Sequence, residues 1–220
     1  MKRKILTIFR LMEGWGAPLA FVALGLIPTA AGIARLVQLA GGEGPKTSDD
    51  VRFFAAPLPV VAHVLSSIIY STFGAFQFTA RLRRPRTNWH RAAGQILVFF
   101  GICTALSGFW MTLYYPKANF DGQSVFVMRL LVSVLIIFSI GNGVAAIKRG
   151  DVNSHRAWMM RGYALSLGAG TQVFTHLPWL LFPDIRGELT RSLCMGMGWI
   201  INLVIAELVI AHGFGNKTLS

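Results

Sequence analysis

Residues 125–147 read VFVMRLLVSVLIIFSIGNGVAAI and contain one charged side chain, that of Arg129. A helix needs about 20 consecutive apolar residues to cross the hydrocarbon core of a bilayer. This stretch is long enough, and its Gly and Asn residues add no charge to it. It therefore predicts a membrane-spanning helix and places the protein in a lipid bilayer.

The composition of the whole chain agrees with this interpretation. Of the 220 residues, 54% are hydrophobic and 14% are charged, and the mean hydropathy is +0.54. Soluble domains carry about 25% charged residues. Two cysteines are too few for a disulfide scaffold, and the sequence has no Walker loop, GxSxG elbow or HExxH motif. The chain is therefore neither soluble nor disordered, and residues 1–220 are predicted to form a single membrane domain.

Five further stretches are similar to residues 125–147 in length and polarity. The six predicted spans are residues 15–40, 56–80, 92–114, 125–147, 157–182 and 193–212. We predict an all-α, polytopic membrane protein in which residues 56–182 form a four-helix core flanked by the first and last spans. Residues 1–14 are predicted to be a cytoplasmic segment. An uncleaved first helix is favoured over a signal peptide, because Arg10 and Glu13 interrupt the apolar run.

Basic residues are concentrated on one side of these spans. They lie before the first span, between the second and third, between the fourth and fifth, and in the tail, whereas the other connections carry most of the acidic residues. Cytoplasmic loops of membrane proteins are enriched in Lys and Arg. The pattern predicts that both termini are cytoplasmic. The net charge of +12 then reflects topology, and we expect no nucleic-acid partner.

A short motif occurs twice in the chain. The sequence NWHRA at residues 88–92 opens the third span, and NSHRA at residues 153–157 opens the fifth span, 65 positions later. The same offset lays the second and third spans over the fourth and fifth. Two hairpins entered from the same side predict a parallel internal repeat about an axis along the membrane normal.

Histidines occur in two layers of the predicted spans. His63 and His176 are expected near the outer face, and His90 and His155 at the cytoplasmic mouths of the third and fifth spans. Imidazoles from facing helices hold haem iron in membrane bundles. We predict His63 with His176 as an outer ligand pair for haem b, and His90 with His155 as an inner pair.

Arginines near the inner histidines carry the charge that haem propionates require. Arg91, Arg156 and Arg161 are the predicted partners, together with Arg83 and Arg84 of the basic loop. The histidines also have a simpler interpretation, since a His followed by Arg at a helix mouth is often an interfacial residue bonded to backbone or lipid. The sequence leaves both interpretations open.

Glu207 is predicted to lie deep in the sixth span, where an unpaired carboxylate is costly. Arg161 lies about one turn into the fifth span on the same side. We predict a buried ion pair between Glu207 and Arg161. The alternative is that Glu207 relays protons to a quinone or haem site.

A longer set of motifs resembles a known family. The set comprises His63, Gly74, QF at residues 77–78, HRAAG at residues 90–94 and HRAWMMRGYAL at residues 155–165. Together these resemble the bacterial predicted membrane proteins called domain of unknown function 2306, over about residues 56–182. The resemblance implies a multi-pass protein of the bacterial inner membrane, in a family without a settled activity.

The four-helix core is also similar in outline to cytochromes of the b561 type. That similarity implies a dihaem protein in which each of four helices supplies one His. Here the fourth span supplies no His and the fifth supplies two. Met128 or Asn142 would have to replace a ligand, or one haem is bound.

We therefore predict a b-type haem protein of the membrane that passes electrons, with one or two haems. A quinone or another redox protein is the expected partner. The competing hypothesis is a membrane protein without haem, either a non-catalytic subunit that assembles with other membrane subunits or a small transporter.

Overall fold

The computed structural model describes residues 15–42, 44–79 and 87–214, except for the side chains of residues 87, 213 and 214. Within these ranges the protein is all helical, without strands, and the all-α prediction is confirmed. The helices are α1 (Gly16–Gly41), α2 (Val51–Ala55), α3 (Pro57–Gln77), α4 (Thr87–Tyr114), α5 (Gln123–Lys148), α6 (Val152–Ser166), α7 (Gly168–Thr175), α8 (Leu177–Leu181) and α9 (Glu188–Phe214), with 3₁₀ turns at Ser48–Asp50 and Pro183–Ile185. The predicted N-terminal segment and the loop with Arg83 and Arg84 lie outside the described residues.

Five of these helices, α1, α3, α4, α5 and α9, are long and apolar enough to cross a membrane. They correspond to the first four predicted spans and to the sixth. Many large hydrophobic side chains on the outer surfaces of these helices are not covered by the rest of the protein, as is expected for helices that contact lipid. The chain is therefore an integral membrane protein.

The fifth predicted span, residues 157–182, is divided among α6, α7 and α8. The breaks fall at Leu167 and His176. Pro178 accounts for the second break, because proline has no N–H for a helical hydrogen bond. At the first break, Gly168 packs directly against the indole of Trp199. Neither α6, α7 nor α8 is long enough to span a bilayer alone, so the six-span arrangement stays a prediction.

The long helices form two hairpins. α3 packs along α4, α5 packs along α6, and α4 contacts α5 between them. The start of α4 at Thr87 and the start of α6 at Val152 are 65 positions apart. The offset between the two NxHRA motifs therefore also relates the second helices of the two hairpins, in agreement with the predicted repeat.

α1 and α9 flank the hairpins. α1 packs against α3 and α7, and α9 packs against α6 and α7. The buried apolar core consists of Tyr70, Ala75, Leu97, Ala105, Ile136, Ile140, Tyr163, Leu165 and Leu167. Gly101 allows close packing there, since a Cβ atom at this position would lie 2.7 Å from Ile140 Cδ1 and 2.8 Å from Tyr70 Cε2.

Residues 44–56 and 115–122 connect the long helices at one end of the bundle, and we call this half of the bundle the upper half. Residues 149–156 lie at the opposite end, in the lower half. In the lower half α3 meets α6, where a Cβ atom on Gly74 would lie 2.7 Å from Tyr163 Cε2. Beyond the bend at Leu167, α7 packs against α1 and α9. The upper part of α3 is thus separated from α7, and a space remains between them.

Candidate functional site

A cavity of about 470 Å³ occupies this space and is called the upper cavity below. Residues of α1, α3, α4, α5 and α7 form its wall, together with Trp199 of α9. It extends from Pro116 and Lys117 at the top to Tyr70 and Ile136 near the middle of the bundle. Small-molecule sites commonly have volumes of about 300–1,000 Å³. The upper cavity therefore has the size of a ligand site.

His63 projects into the upper cavity from α3. Its Nδ1 lies 3.0 Å from the carbonyl oxygen of Thr104 and 3.1 Å from Oγ of Ser107, both on α4. A carbonyl oxygen can only accept, so Nδ1 carries the proton and Nε2 keeps its lone pair. Hydrogen bonds of this kind from Nδ1 are typical of histidines that bind a metal through Nε2.

Gly108 makes room for the His63 ring on α4. A Cβ atom at residue 108 would lie 3.3 Å from Cε1 of His63, closer than most such contacts. The hydroxyl of Ser107 donates to the carbonyl oxygen of Cys103 at 2.6 Å, which leaves its oxygen free to accept from His63. The imidazole of His63, which projects from α3, is thus held in place by hydrogen bonds to α4.

The top of the upper cavity is strongly basic. Arg52, Lys117 and Arg129 line it, and Asp121 is the one carboxylate among the described lining residues. The side chain of Asp121 is 3% exposed. Its Oδ2 accepts from Nη1 of Arg129 at 2.6 Å, and its Oδ1 accepts from Nε of Arg191 at 2.9 Å. Both carboxylate oxygens are therefore already bonded to arginines.

Arg52 reaches this position from the short helix α2. Its Nη1 donates to the carbonyl oxygen of Pro116 at 2.9 Å, and its guanidinium lies 4.8 Å from the centre of the Phe53 ring. Burial lowers the pKa of Arg52 from its ordinary value, but an arginine remains charged at physiological pH.

Aromatic side chains close the lower end of the space. Tyr163 packs against Phe21, Tyr70 and Phe78, with ring centres 5.6, 5.8 and 5.0 Å apart respectively. The Tyr163 hydroxyl donates to the carbonyl oxygen of Ser71 at 2.6 Å. α1, α3 and α6 are therefore joined below the cavity.

His176 does not line the upper cavity. It lies at the break between α7 and α8, where its Nδ1 is 2.8 Å from the carbonyl oxygen of Gln172 and its ring packs on Trp179. Its Nε2 is buried without a hydrogen-bond partner among the described residues. The structure thus does not bring the predicted outer pair, His63 and His176, into one cavity.

The predicted inner residues lie in the lower half. His155 Nδ1 is 2.9 Å from the carbonyl oxygen of Gly143, so this imidazole joins α6 to α5. Arg91 is exposed near the start of α4, and His90 and Arg156 are partly buried. His90 and Arg156 both have interactions with other groups. The inner pair His90 and His155 remains a prediction.

Arg161 and Glu207 form the predicted ion pair. Arg161 Nε is 2.6 Å from Oε1, and Nη2 is 2.9 Å from Oε2. The pairing is confirmed, but the expectation that the pair is buried is wrong, since the two side chains are 28% and 51% exposed. Arg161 also lies over the Trp158 ring, with its Cζ 4.7 Å from the ring centre. The pair lies on the surface of the bundle.

The two residues considered as replacement ligands also lie away from the upper cavity. Sδ of Met128 would be 3.2 Å from a Cβ atom on Gly196, and Asn142 donates to the carbonyl oxygen of Phe138 on its own helix. Over the described residues, no group of three or more His, Cys, Asp or Glu side chains could hold a metal ion.

Sequence reasoning missed the basic top of the cavity. Arg129 was recognised only as the one charged residue of the fourth predicted span, whereas in the structure it bonds Asp121 and lines the cavity. The sequence did contain a signal for this contact, because Arg129 lies inside the predicted fourth span and the acidic residue Asp121 lies shortly before that span. Arg52 gave no comparable signal, since its connection to Pro116 depends on tertiary structure.

These features define an integral membrane protein, helical throughout its described residues, with a cavity in one half of the bundle that is basic at its top and apolar below. The chain belongs to the family "Predicted membrane protein (DUF2306)", whose model matches residues 60–210. The predicted family resemblance is therefore confirmed. Searches of the curated proteins and of the solved structures gave no significant match.

Proposed function

We propose that this membrane protein binds a b-type haem in the upper cavity and passes electrons to or from a quinone or another redox protein. The observation that carries the proposal is the state of His63, whose Nδ1 is bonded to the Thr104 carbonyl while its ring lines the cavity. This leaves the Nε2 lone pair free, so His63 would hold the haem iron through Nε2. Haem, when bound, would supply one-electron redox chemistry.

The residues present fit such a group in three ways. The cavity has the volume of a ligand site, His63 supplies a ligating nitrogen, and cationic side chains at the top suit anionic propionates. Met111 also lines the cavity and offers a thioether, the second axial ligand of some cytochromes. His176 would have to move to take that role.

The observations on the upper cavity support a proposal of one haem. A second haem at the inner pair would require His90 and His155, with Arg91, Arg156 and Arg161 as charge partners. His155 has the same bonding pattern as His63, because its Nδ1 contacts a backbone carbonyl. This shared pattern supports keeping the second haem in the proposal.

The test is an optical spectrum of the detergent-purified protein, oxidised and then reduced with dithionite. We expect α and β bands in the reduced spectrum. His63→Ala removes the bands of the upper haem, whereas His212→Ala leaves them, because His212 bonds the Leu208 carbonyl of its own helix and does not line the upper cavity. His155→Ala reports on the inner pair in the same way.

A folded, colourless protein that takes up no added hemin would overturn the proposal. His63→Gln guards against a trivial loss of folding, since its side chain can still bond to α4. Thermal unfolding of each variant separates loss of haem from loss of structure. A variant that unfolds like the unaltered protein but lacks the bands identifies a ligand.

A small transporter is the second candidate, and one observation favours it. The cavity reaches the middle of the bundle, and the aromatic contacts of Tyr163 close the space below it. Transport requires access from both faces in turn. In a background with Cys103→Ala and Cys194→Ala, Ser67→Cys places a thiol on the cavity wall. Labelling of this thiol from both sides of a vesicle supports transport, and labelling from one side opposes it.

A further inference from the structure

Among the described residues, the basic side chains at the top of the upper cavity are not all paired with a carboxylate. Arg129 and Arg191 occupy both oxygens of Asp121, so this carboxylate has no oxygen left without an arginine partner. In the part of the chain that the structure describes, Lys117 donates to the neutral amide oxygen of Gln123, at 3.2 Å, and lies over the Phe126 ring. The wall therefore carries positive charge that its own acidic residue does not balance.

Arg52 is the clearest unsatisfied group. Its Nε is buried and has no hydrogen-bond partner in the described part of the chain. Its Nη1 bonds a neutral backbone carbonyl, and it forms no ion pair within the described ranges. Leaving the buried Nε of this half-buried side chain without a partner costs free energy, which a hydrogen-bonded anionic ligand would offset.

Within the described residues, none of the acidic side chains near the cavity forms an ion pair with Arg52. Asp49 acts on Arg52 through space and accepts from the backbone N–H of Asn119 at 3.4 Å. Asp50 is bonded to Arg35 at 2.6 Å. Glu188 is exposed and packs beside Gly122. None of the three lines the upper cavity.

We propose that the upper cavity binds an amphipathic carboxylic acid, with its carboxylate on Arg52 and Lys117 and its apolar body directed down toward His63. Arg129 adds charge at the same end and stays bonded to Asp121. The orientation follows from the wall, because Val132, Ile136 and Leu165 line the deeper part. This inference rests on the proposed function in one respect, since both place a ligand in the upper cavity.

The experiment uses metal-free protoporphyrin IX, a planar dicarboxylic acid, and its dimethyl ester as a matched neutral probe. Binding to the detergent-purified protein is followed by porphyrin fluorescence. We expect the acid to bind about tenfold more tightly than the ester, or better, because charge-assisted hydrogen bonds to a partly buried guanidinium are strong. Equal affinity for acid and ester would overturn the inference.

Variants assign the effect to residues. Arg52→Gln and Lys117→Gln are each expected to weaken binding of the acid and leave binding of the ester unchanged. Arg186→Gln is the matched control, since this arginine bonds carbonyls of Trp179 and Leu180 away from the cavity. Arg52→Lys keeps the charge and is expected to retain most of the preference. Loss of acid binding in Arg186→Gln as large as in Arg52→Gln would contradict the assignment.

The two proposals fail in different ways. Metal-free porphyrin has no iron for His63 to bind, so the difference in affinity between its acid and its ester reports on the basic residues. Acid-selective binding that depends on Arg52, without reduced α and β bands from added hemin, keeps the carboxylate site and ends the haem proposal. Hemin bands that depend on His63 but not on Arg52 do the reverse.

Discussion

Arg161 on α6 and Glu207 on α9 form an ion pair through two parallel hydrogen bonds, at 2.6 and 2.9 Å, on the surface of the bundle. The lipid around such a pair cannot solvate either charge as water does. Each side chain therefore depends on the other, and the pair joins two helices that are remote in sequence. This arrangement favours a structural role for Glu207 over a proton relay.

The first prediction concerns this pair. Glu207→Gln and Arg161→Met are each expected to destabilise the protein, and the double variant is expected to lose less than the sum of the two. The coupling free energy should be about 1 kcal/mol, which is within the usual range for polar contacts between membrane helices. Thermal unfolding in detergent measures it. Asn142→Ala is the control, since Asn142 is partly exposed and bonds the Phe138 carbonyl of its own helix. Additive single effects would argue against coupling.

The second prediction concerns the close contact between α3 and α6. Gly74→Ala places a methyl group 2.7 Å from the buried ring of Tyr163 and should cost about 1–3 kcal/mol of unfolding free energy. Gly141→Ala is the matched control, because a Cβ atom there meets nothing within 4 Å. The control should be neutral or slightly stabilising, since alanine favours helix more than glycine does. Similar losses in both variants would mean that Tyr163 does not limit the space at residue 74.

The third prediction concerns the hydroxyl of Tyr163. Tyr163→Phe removes the hydrogen bond to the Ser71 carbonyl and should lower the unfolding free energy by about 1 kcal/mol while keeping the ring contacts. Tyr114→Phe serves as the comparison, because Tyr114 is exposed and packs on Trp110 through its ring. Denaturation curves of the two variants provide the measurement. A stability equal to that of the unaltered protein would show that the bond contributes nothing.

The fourth prediction concerns pH. The guanidinium of Arg35 donates to Asp50 at 2.6 Å and holds the pKa of that carboxyl below its ordinary value. A depressed pKa in the folded state stabilises the protein above the unfolded pKa, about 3.9, and this contribution is lost as the pH falls through the folded value.

Melting temperatures between pH 6 and pH 3 therefore test the Asp50 bond. The unaltered protein should lose stability toward the acid end, and Asp50→Asn should lose less over the same interval. Asp184→Asn, which changes an exposed acidic residue, should follow the unaltered protein. If Asp50→Asn has the same acid dependence as the unaltered protein, other carboxyl groups are responsible.

The helices that coincide with uninterrupted apolar stretches could be predicted from the sequence. α1, α3, α4, α5 and α9 follow from hydropathy, because a bilayer tolerates backbone only as satisfied helix. The partner of Glu207 could also be predicted, since a charge in a span needs an opposite charge at the same depth. The exposure of the pair could not, because depth along a helix does not say which side of the bundle a residue faces.

The breaks at Leu167 and His176 were not anticipated. The local signals, Gly168 and Pro178, lie inside a run whose hydropathy is otherwise typical of a span. The upper cavity depends on the first of these breaks, so it could not be predicted either. His63 was a candidate from its residue type, but its bond to the Thr104 carbonyl depends on how α3 crosses α4.

The bend at Leu167 has a mechanical consequence. Below it, the Gly74–Tyr163 contact joins α3 to α6, and above it α7 is attached to α9 through Thr171–Asn202 and Gln172–Met195 hydrogen bonds. The width of the upper cavity therefore depends on the angle of the short helix α7, whereas the contact between α3 and α6 lies below the cavity. Substitutions at the contact between α7 and α9 can therefore change which ligands the cavity admits without disturbing the packing of α3 on α6.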